Sequence, residues 1–182
     1  MKVCVFLADG FEEIEGLTVV DILRRAGVSV TMMSVTGNRM IKGSHGITVE
    51  ADALFDGADA AKADMLVLPG GMPGTLTLKQ HDGLNELLRS FYDQGKYIAA
   101  ICAAPSILGE MGMLQGRKAC SYPTFEGSLE GADVHQIPVV TDGNITTGRG
   151  MGAAIPFALR LTEILRGKDK AEEVRESIVY QA

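Results

Sequence analysis

One stretch constrains the fold more than any other: Lys96-Tyr-Ile-Ala-Ala-Ile-Cys102-Ala-Ala-Pro-Ser-Ile-Leu108. Tyr97 to Ile101 is an uncharged run of strand length, suited to a strand covered on both faces. The run breaks at Cys102. Ala103 and Ala104 are small, and Pro105 suits the first turn of a helix, where its missing N–H costs nothing. A strand that becomes a helix within a few residues lifts the junction side chain over the C-terminal edge of the sheet. That side chain then faces the free N–H groups and positive end of the new helix. For a thiol, this position is expected to lower the pKa and expose a nucleophile. The ordinary alternative is that Cys102 is a small buried hydrophobe.

The rest of the chain alternates in the same way. Lys2–Ala8 reads as a buried first strand and Asp9-Gly10-Phe11 as a turn. Leu17, Val20, Ile22, Leu23 and Ala26 then fall at helical spacing up to Gly27. Glu12, Glu13 and Glu15 precede them, and carboxylates in a first turn suit the helix dipole, so solvated N-terminal charge is the simple expectation. Val28–Val35 is a second strand. Thr36–Asp52 looks like a hairpin or excursion at the sheet edge, with His45 as an ordinary surface residue, and Ala53–Ala63 like a loop or short helix. Met65–Leu68 is a third strand. Pro69-Gly70-Gly71-Met72-Pro73-Gly74 follows it, either a tight turn or a place where backbone N–H groups meet a ligand. It lacks both the P-loop ending and the dinucleotide fingerprint. Gly83–Gln94 is an amphipathic helix and Ser106–Met111 continues the helix after Cys102. Lys118–Ser121 is a short strand before Tyr122-Pro123, and Thr124–Gln136 has no readable element. Asp142-Gly143-Asn144 turns a hairpin, Ala153–Leu165 is a helix, and Lys170–Ile178 is a last, charged helix. This pattern predicts one domain over residues 1–182, an α/β sandwich with a mostly parallel sheet and helices on both faces. Its site should lie at the C-terminal strand edge.

Composition excludes several functions. The net charge of −6 and the absence of a dense basic patch argue against nucleic acid as a partner. No apolar run approaches the roughly 18 residues of a membrane span. The three cysteines, Cys4, Cys102 and Cys120, form neither a disulfide framework nor a zinc pattern, so a reducing cytoplasm is the expected setting.

Three blocks carry a resemblance: Ala8-Asp-Gly-Phe-Glu-Glu-Ile-Glu15, Leu68-Pro-Gly-Gly71 and Ala100-Ile-Cys-Ala-Ala-Pro105, with Thr147-Gly-Arg149-Gly150 before the late helix. In that order and at those spacings the chain resembles the DJ-one/ThiJ/PfpI superfamily along essentially its whole length. It looks closest to the small single-domain DJ-one-like members, including the bacterial ones. The resemblance implies a flavodoxin-like sandwich with a nucleophile elbow, and usually a homodimer. It implies Cys102 as the elbow cysteine, Glu15 as its carboxyl partner, and the backbone N–H groups of Gly71 and Ala103 as an oxyanion pocket. It implies no metal and no cofactor. Gly70 and Tyr122 are candidate lining residues. His45 falls where relatives often have an arginine near the partner's site, and His135 is the one histidine downstream of Tyr122-Pro123, though it does not align cleanly. Asp21, Arg25 and Arg149 match family positions and are expected to form structural ion pairs.

A thiolate, a partly buried carboxyl with a raised pKa, and two N–H donors suit addition to a carbonyl. The leading expectation is an enzyme of reactive-carbonyl metabolism, of the cofactor-independent glyoxalase or protein deglycase type. Its substrate would be a small α-oxoaldehyde such as methylglyoxal, or a glycated protein. The alternative is an oxidative-stress sensor or redox-regulated chaperone acting through oxidation of Cys102. The third is an amidase or peptidase-like hydrolase. The protease-like branch has a histidine directly after the cysteine, and this chain has Ala103.

Overall fold

The computed structural model describes residues 1–181. The first strand, β1 (Lys2–Leu7), explains the layering. Val3, Val5 and Leu7 point into one core and Cys4 and Phe6 into the other, the two-residue period of a strand buried on both sides. The chain continues through α1 (Glu13–Arg25), β2 (Ser29–Ser34), the hairpin β3 (Met40–Lys42) and β4 (Thr48–Glu50), the edge strand β5 (Ala53–Leu54) and α2 (Gly57–Ala60). Then come β6 (Met65–Leu68), α3 (Gly74–Gln80), α4 (Asp82–Asp93), β7 (Tyr97–Ile101) and α5 (Pro105–Glu110). The last third holds β8 (Lys118–Ala119), β9 (Asp133–Val134), β10 (Val139–Asp142), β11 (Ile145–Gly148), α6 (Ala154–Arg166) and α7 (Lys168–Ser177).

Seven strands form the main sheet in the order β10-β11-β7-β6-β1-β2-β5, all parallel except the β10–β11 hairpin. Numbered by appearance, the five central parallel strands run 2-1-3-4-5, the flavodoxin-like order. One face is covered by α1, α6 and α7, with Val19, Leu23, Phe157 and Leu161 buried between helices and sheet. The other is covered chiefly by α4 and α5, through Leu84, Leu88, Phe91, Ile107 and Leu108. Each such side chain contributes about 1.5–3 kcal/mol on burial. The strand order reverses between β1 and β6, so the segments that follow them leave toward opposite faces and open a crevice at their C-terminal ends. The residues after β1, β6 and β7 share that edge.

Two regions differ from the sequence expectation. Gly74–Gln80 is helical although Gly-Thr-Leu-Thr is a poor helix-forming string. Packing decides: Leu78 is buried in the core beside α4. The segment without a readable element contains a 3-10 turn, Pro123–Ser128, and β9, which pairs with β8 outside the main sheet. The expected edge hairpin is present as β3–β4.

Glu13 is not a solvated first-turn carboxylate. It is 3% exposed. Oε1 accepts from the N–H of His45 at 2.9 Å and of Ile47 at 3.3 Å, and Oε2 meets Ser44 Oγ at 3.3 Å and His45 Nδ1 at 3.2 Å. Gly43 lies so close that a Cβ there would stand 2.2 Å from the Glu13 carboxyl carbon. Further bonds, Gly10 N–H to Lys42 O and Ser44 N–H to Phe11 O, stitch the hairpin onto the start of α1. Burial pushes Glu13 up, but these donors outweigh it and hold the carboxyl at about 2. A folded-state pKa below the free value stabilises the fold at pH values above the free value, and that stability disappears as pH falls through about 2. Glu13→Ala should therefore cost about 2–3 kcal/mol in urea melts at pH 6. The deficit should shrink as the pH is lowered toward 2, where the wild-type carboxylate is being protonated. A deficit independent of pH would show that the carboxylate charge does not hold the hairpin.

Candidate active site

Cys102 directly follows β7 with a φ of +65°, the left-handed region that a non-glycine residue rarely adopts. Such a conformation costs of the order of 1–3 kcal/mol and persists only where neighbours enforce it. Here three backbone bonds do so. Cys102 N–H donates to Gly148 O at 2.9 Å, Tyr122 N–H donates to Cys102 O at 2.8 Å, and Ala104 N–H donates to Ile101 O at 3.1 Å. The strand-to-helix break is thereby a sharp elbow, and Pro105 opens α5 as expected.

The loop after β6 comes against this elbow. A Cβ on Gly70 would lie 2.6 Å from Cys102 Cβ and 2.7 Å from Glu15 Oε2, so only glycine lets the three segments meet. Gly71 has a φ of +92°, and a Cβ there would lie 2.2 Å from Glu12 N. The glycine pair is thus a place of close backbone approach, and the backbone N–H groups of Ala103 and Gly71 pull the Cys102 thiol pKa down.

Glu15 reaches the same point from the first turn of α1. It is fully buried. Oε2 accepts the Gly70 N–H at 2.9 Å, and Oε1 has no hydrogen-bond partner among the described residues. Burial pushes the carboxyl up to about 7, against the pull of the Cys102 thiol and the Gly70 N–H. Burial, then the charge and hydrogen bond of Glu15, push the Cys102 thiol up to about 12, against the N–H groups of Ala103 and Gly71. The expected lowering by the helix end therefore meets an opposing effect, burial beside a carboxylate. The helix after Cys102 is only six residues long, and desolvation beside a carboxylate outweighs its dipole. Both shifts run in one direction, so below about 7 oxygen and sulfur each hold a proton, and above it the pair shares one.

The other candidates separate. Tyr122 stands beside the elbow, joined to it by its backbone and 47% exposed. His45 lies at the hairpin tip, its Nδ1 taken up by Glu13 and Ser44. His135 is bound through Nε2 to Asp133 Oδ2 at 3.0 Å. Neither histidine hydrogen-bonds to Cys102 or Glu15 or contributes to their shifts. Asp21–Arg25 and Arg149–Glu126 form ion pairs of 2.6 and 3.0 Å. Cys4 and Cys120 are buried, and Cys120 Sγ points to Thr147 O. Glu12, Glu13 and His45 bring ligand-type atoms within 4.8 Å of one another, but those of Glu13 and His45 are already bonded to each other and to the hairpin, as a clamp.

Sequence reasoning missed the role of the Gly148 carbonyl. The signal was Gly148 at a strand end, where a Cβ would stand 2.8 Å from Ile101 Cγ1.

Comparison with known proteins places this geometry in a family. The profile of the DJ-1/PfpI family matches residues 1–164. Protein dj-1beta of Drosophila melanogaster is 38% identical over 177 residues, 96% of this chain and 95% of the relative. A protein of Thermococcus kodakarensis named a deglycase is 33% identical over 168 residues, 91% of this chain and 100% of that relative. The oxidised form of Toxoplasma gondii DJ-1 superposes with a TM-score of 0.93 at 36% identity, covering 100% of this chain and 99% of that one. Sequence likeness and superposition both extend over nearly the whole chain, through β1, β6, β7 and the loops that meet at Cys102, and the chain accordingly belongs to the DJ-1/PfpI family.

Proposed function

We propose that the chain is a cysteine-dependent enzyme acting on reactive carbonyls, of the cofactor-independent glyoxalase or protein deglycase type. The observation that carries this reading is the buried Glu15 carboxyl set against Cys102, with one oxygen unpaired and a pKa near 7. The deglycase name of the Thermococcus kodakarensis relative supports the same class.

Glu15 takes the thiol proton as the sulfur adds to the aldehyde carbon of an α-oxoaldehyde. An S–C bond forms, the carbonyl π pair moves onto oxygen, and the N–H groups of Gly71 and Ala103 steady the developing oxyanion. Glu15 returns the proton to give a hemithioacetal. It then removes the hydrogen from that carbon and delivers a proton to the neighbouring one, leaving a thioester. Water cleaves the thioester, freeing the thiol and, from methylglyoxal, lactate. No oxidant or reductant is consumed. For an early glycation adduct, a carbinolamine, the Cys102 sulfur would instead displace the amine: an S–C bond forms, the C–N bond breaks, the thiol proton leaves on the amine through Glu15, and the same hemithioacetal results. The working form is proposed to be a homodimer. Ile14 and Ile47, on the two elements that Glu13 ties together, are 50% and 55% exposed and offer apolar surface to a second copy.

Methylglyoxal consumption and lactate formation test the reading. Cys102→Ser should abolish turnover and Glu15→Gln should lower it by about 10²–10⁴-fold. Equal activity in all three proteins would remove it. A pH profile tests the proton relay separately. The reactive species is the singly protonated pair, so alkylation of Cys102 by iodoacetamide should rise with pH through about 7 and then level off. In Glu15→Gln that inflection should leave the neutral range; an unchanged inflection would assign it to another group.

A second reading rests on exposure. Cys102 is half-buried whereas Cys4 and Cys120 are buried, and N–H donors suited to an oxyanion also suit a sulfinate. Under mild peroxide, mass spectrometry should find Cys102 oxidised well before the other two. Equal oxidation of all three would dismiss a sensing role.

A further inference from the structure

Residues 9–12, between β1 and α1, are gripped by two other segments of the chain. The first is the loop after β6. A Cβ on Gly71 would lie 2.2 Å from Glu12 N and 2.6 Å from Gly10 O, and one on Gly74 would lie 2.7 Å from Phe11 N. Glu12 N–H donates to Gly70 O at 2.8 Å, and Gly70 N–H donates in turn to Glu15 Oε2 at 2.9 Å. The second is the β3–β4 hairpin. Gly10 N–H donates to Lys42 O at 2.7 Å, Ser44 N–H to Phe11 O at 2.9 Å, and Lys42 N–H to Asp9 Oδ1 at 2.8 Å. The hairpin is thus two hydrogen bonds away from the carboxyl that faces Cys102.

Little else holds the tip of that hairpin. Among the described residues β3 and β4 pair with no other strand. Ile41 anchors the base in the core, but residues 44–48 are all exposed, so burial of their own side chains does not hold them. The buried Glu13 carboxylate takes over that task, accepting the His45 and Ile47 N–H groups and meeting Ser44 Oγ. Glu13 and Glu15 both leave the first turn of α1, one toward the hairpin and the other toward the elbow.

We infer that Glu13 is a positioning residue for Glu15: by locking the β3–β4 tip onto residues 9–12, it keeps the acid and the Gly70–Gly71 loop together at Cys102. The inference concerns the site of the proposed carbonyl chemistry and adds a residue to it that touches neither thiol nor substrate. Small displacements of a supporting segment are enough to misplace a reacting group. When the lock opens, the tip lifts, residues 9–12 lose one of their two holds, and water reaches Glu15. Burial is the largest cause of the raised Glu15 pKa, and the charge of Glu12 adds to it. Hydration weakens the first effect. The second weakens too, because Ser44 Oγ, 3.3 Å from Glu12 Oε2, leaves with the hairpin and frees that carboxylate toward solvent.

Titration of the Glu15 carboxyl carbon by NMR, well below the melting temperature of each protein, tests the inference. The wild-type midpoint should lie near 7. In Glu13→Ala it should fall by about one pH unit or more. Gly43→Ala should lower it likewise without altering α1, since its Cβ would stand 2.2 Å from the Glu13 carboxyl carbon and expel the carboxylate. If Glu13→Ala does not fold, Gly43→Ala decides alone. Leu88→Ala opens a cavity in the core under α4 and should destabilise the protein while leaving the midpoint at its wild-type value. A midpoint unmoved in Gly43→Ala or in folded Glu13→Ala, or moved equally in Leu88→Ala, overturns the positioning role. The titration needs no turnover. A midpoint that moves in a protein that consumes no methylglyoxal keeps the positioning role and ends the catalytic reading. An unmoved midpoint in an active enzyme does the reverse.

Discussion

Everything at the site depends on a carboxyl group kept out of water with one hydrogen bond. Glu15 is fully buried, accepts the Gly70 N–H on one oxygen and has no partner for the other among the described residues. A buried carboxylate is costly, so the group holds on to its proton up to about neutral pH. That same cost makes it useful, since a carboxyl that titrates near 7 can both accept and return a proton under ordinary conditions. The glycines after β6 exist to make this approach possible. Replacing either hydrogen by a methyl group would drive the β6 loop away from the elbow or from the start of α1.

The parallel sheet was legible because burial on both faces leaves a direct trace. Met65–Leu68 and Tyr97–Ile101 carry no charge, and such strands need helices on each side. The amphipathic spacing of α4 and the turn at Asp142-Gly143-Asn144 were equally readable, since both follow from local geometry. The meeting of Glu15, Gly70, Gly71 and Cys102 was legible through motif resemblance, not through any local pattern. Residues 15, 71 and 102 are far apart in sequence, and only the strand order brings them to one edge.

What escaped the sequence was decided by tertiary context. Helix α3 is held by the packing of Leu78, which outweighs weak local propensity. Glu13 looks like any first-turn acid until the hairpin folds over it. At the Cys102 thiol, burial and a neighbouring carboxyl oppose the helix end, and no local sequence pattern shows that opposition. His135 illustrates the same limit: its place downstream of Tyr122-Pro123 made it a candidate for the pocket, and the β8–β9 ribbon carries it off to Asp133.

The strained backbone at Cys102 has a consequence for how the molecule comes into being. Its supports are the carbonyl of Gly148 and the N–H of Tyr122, which lie later in the chain than the cysteine they hold. While these segments have not docked, only the local bond from Ala104 N–H to Ile101 O holds the turn, and the left-handed region is costly for a residue with a side chain. The position of the Cys102 side chain is therefore a property of the whole fold: the hexapeptide around it does not fix it without the hairpin strand β11 and the segment that carries Tyr122.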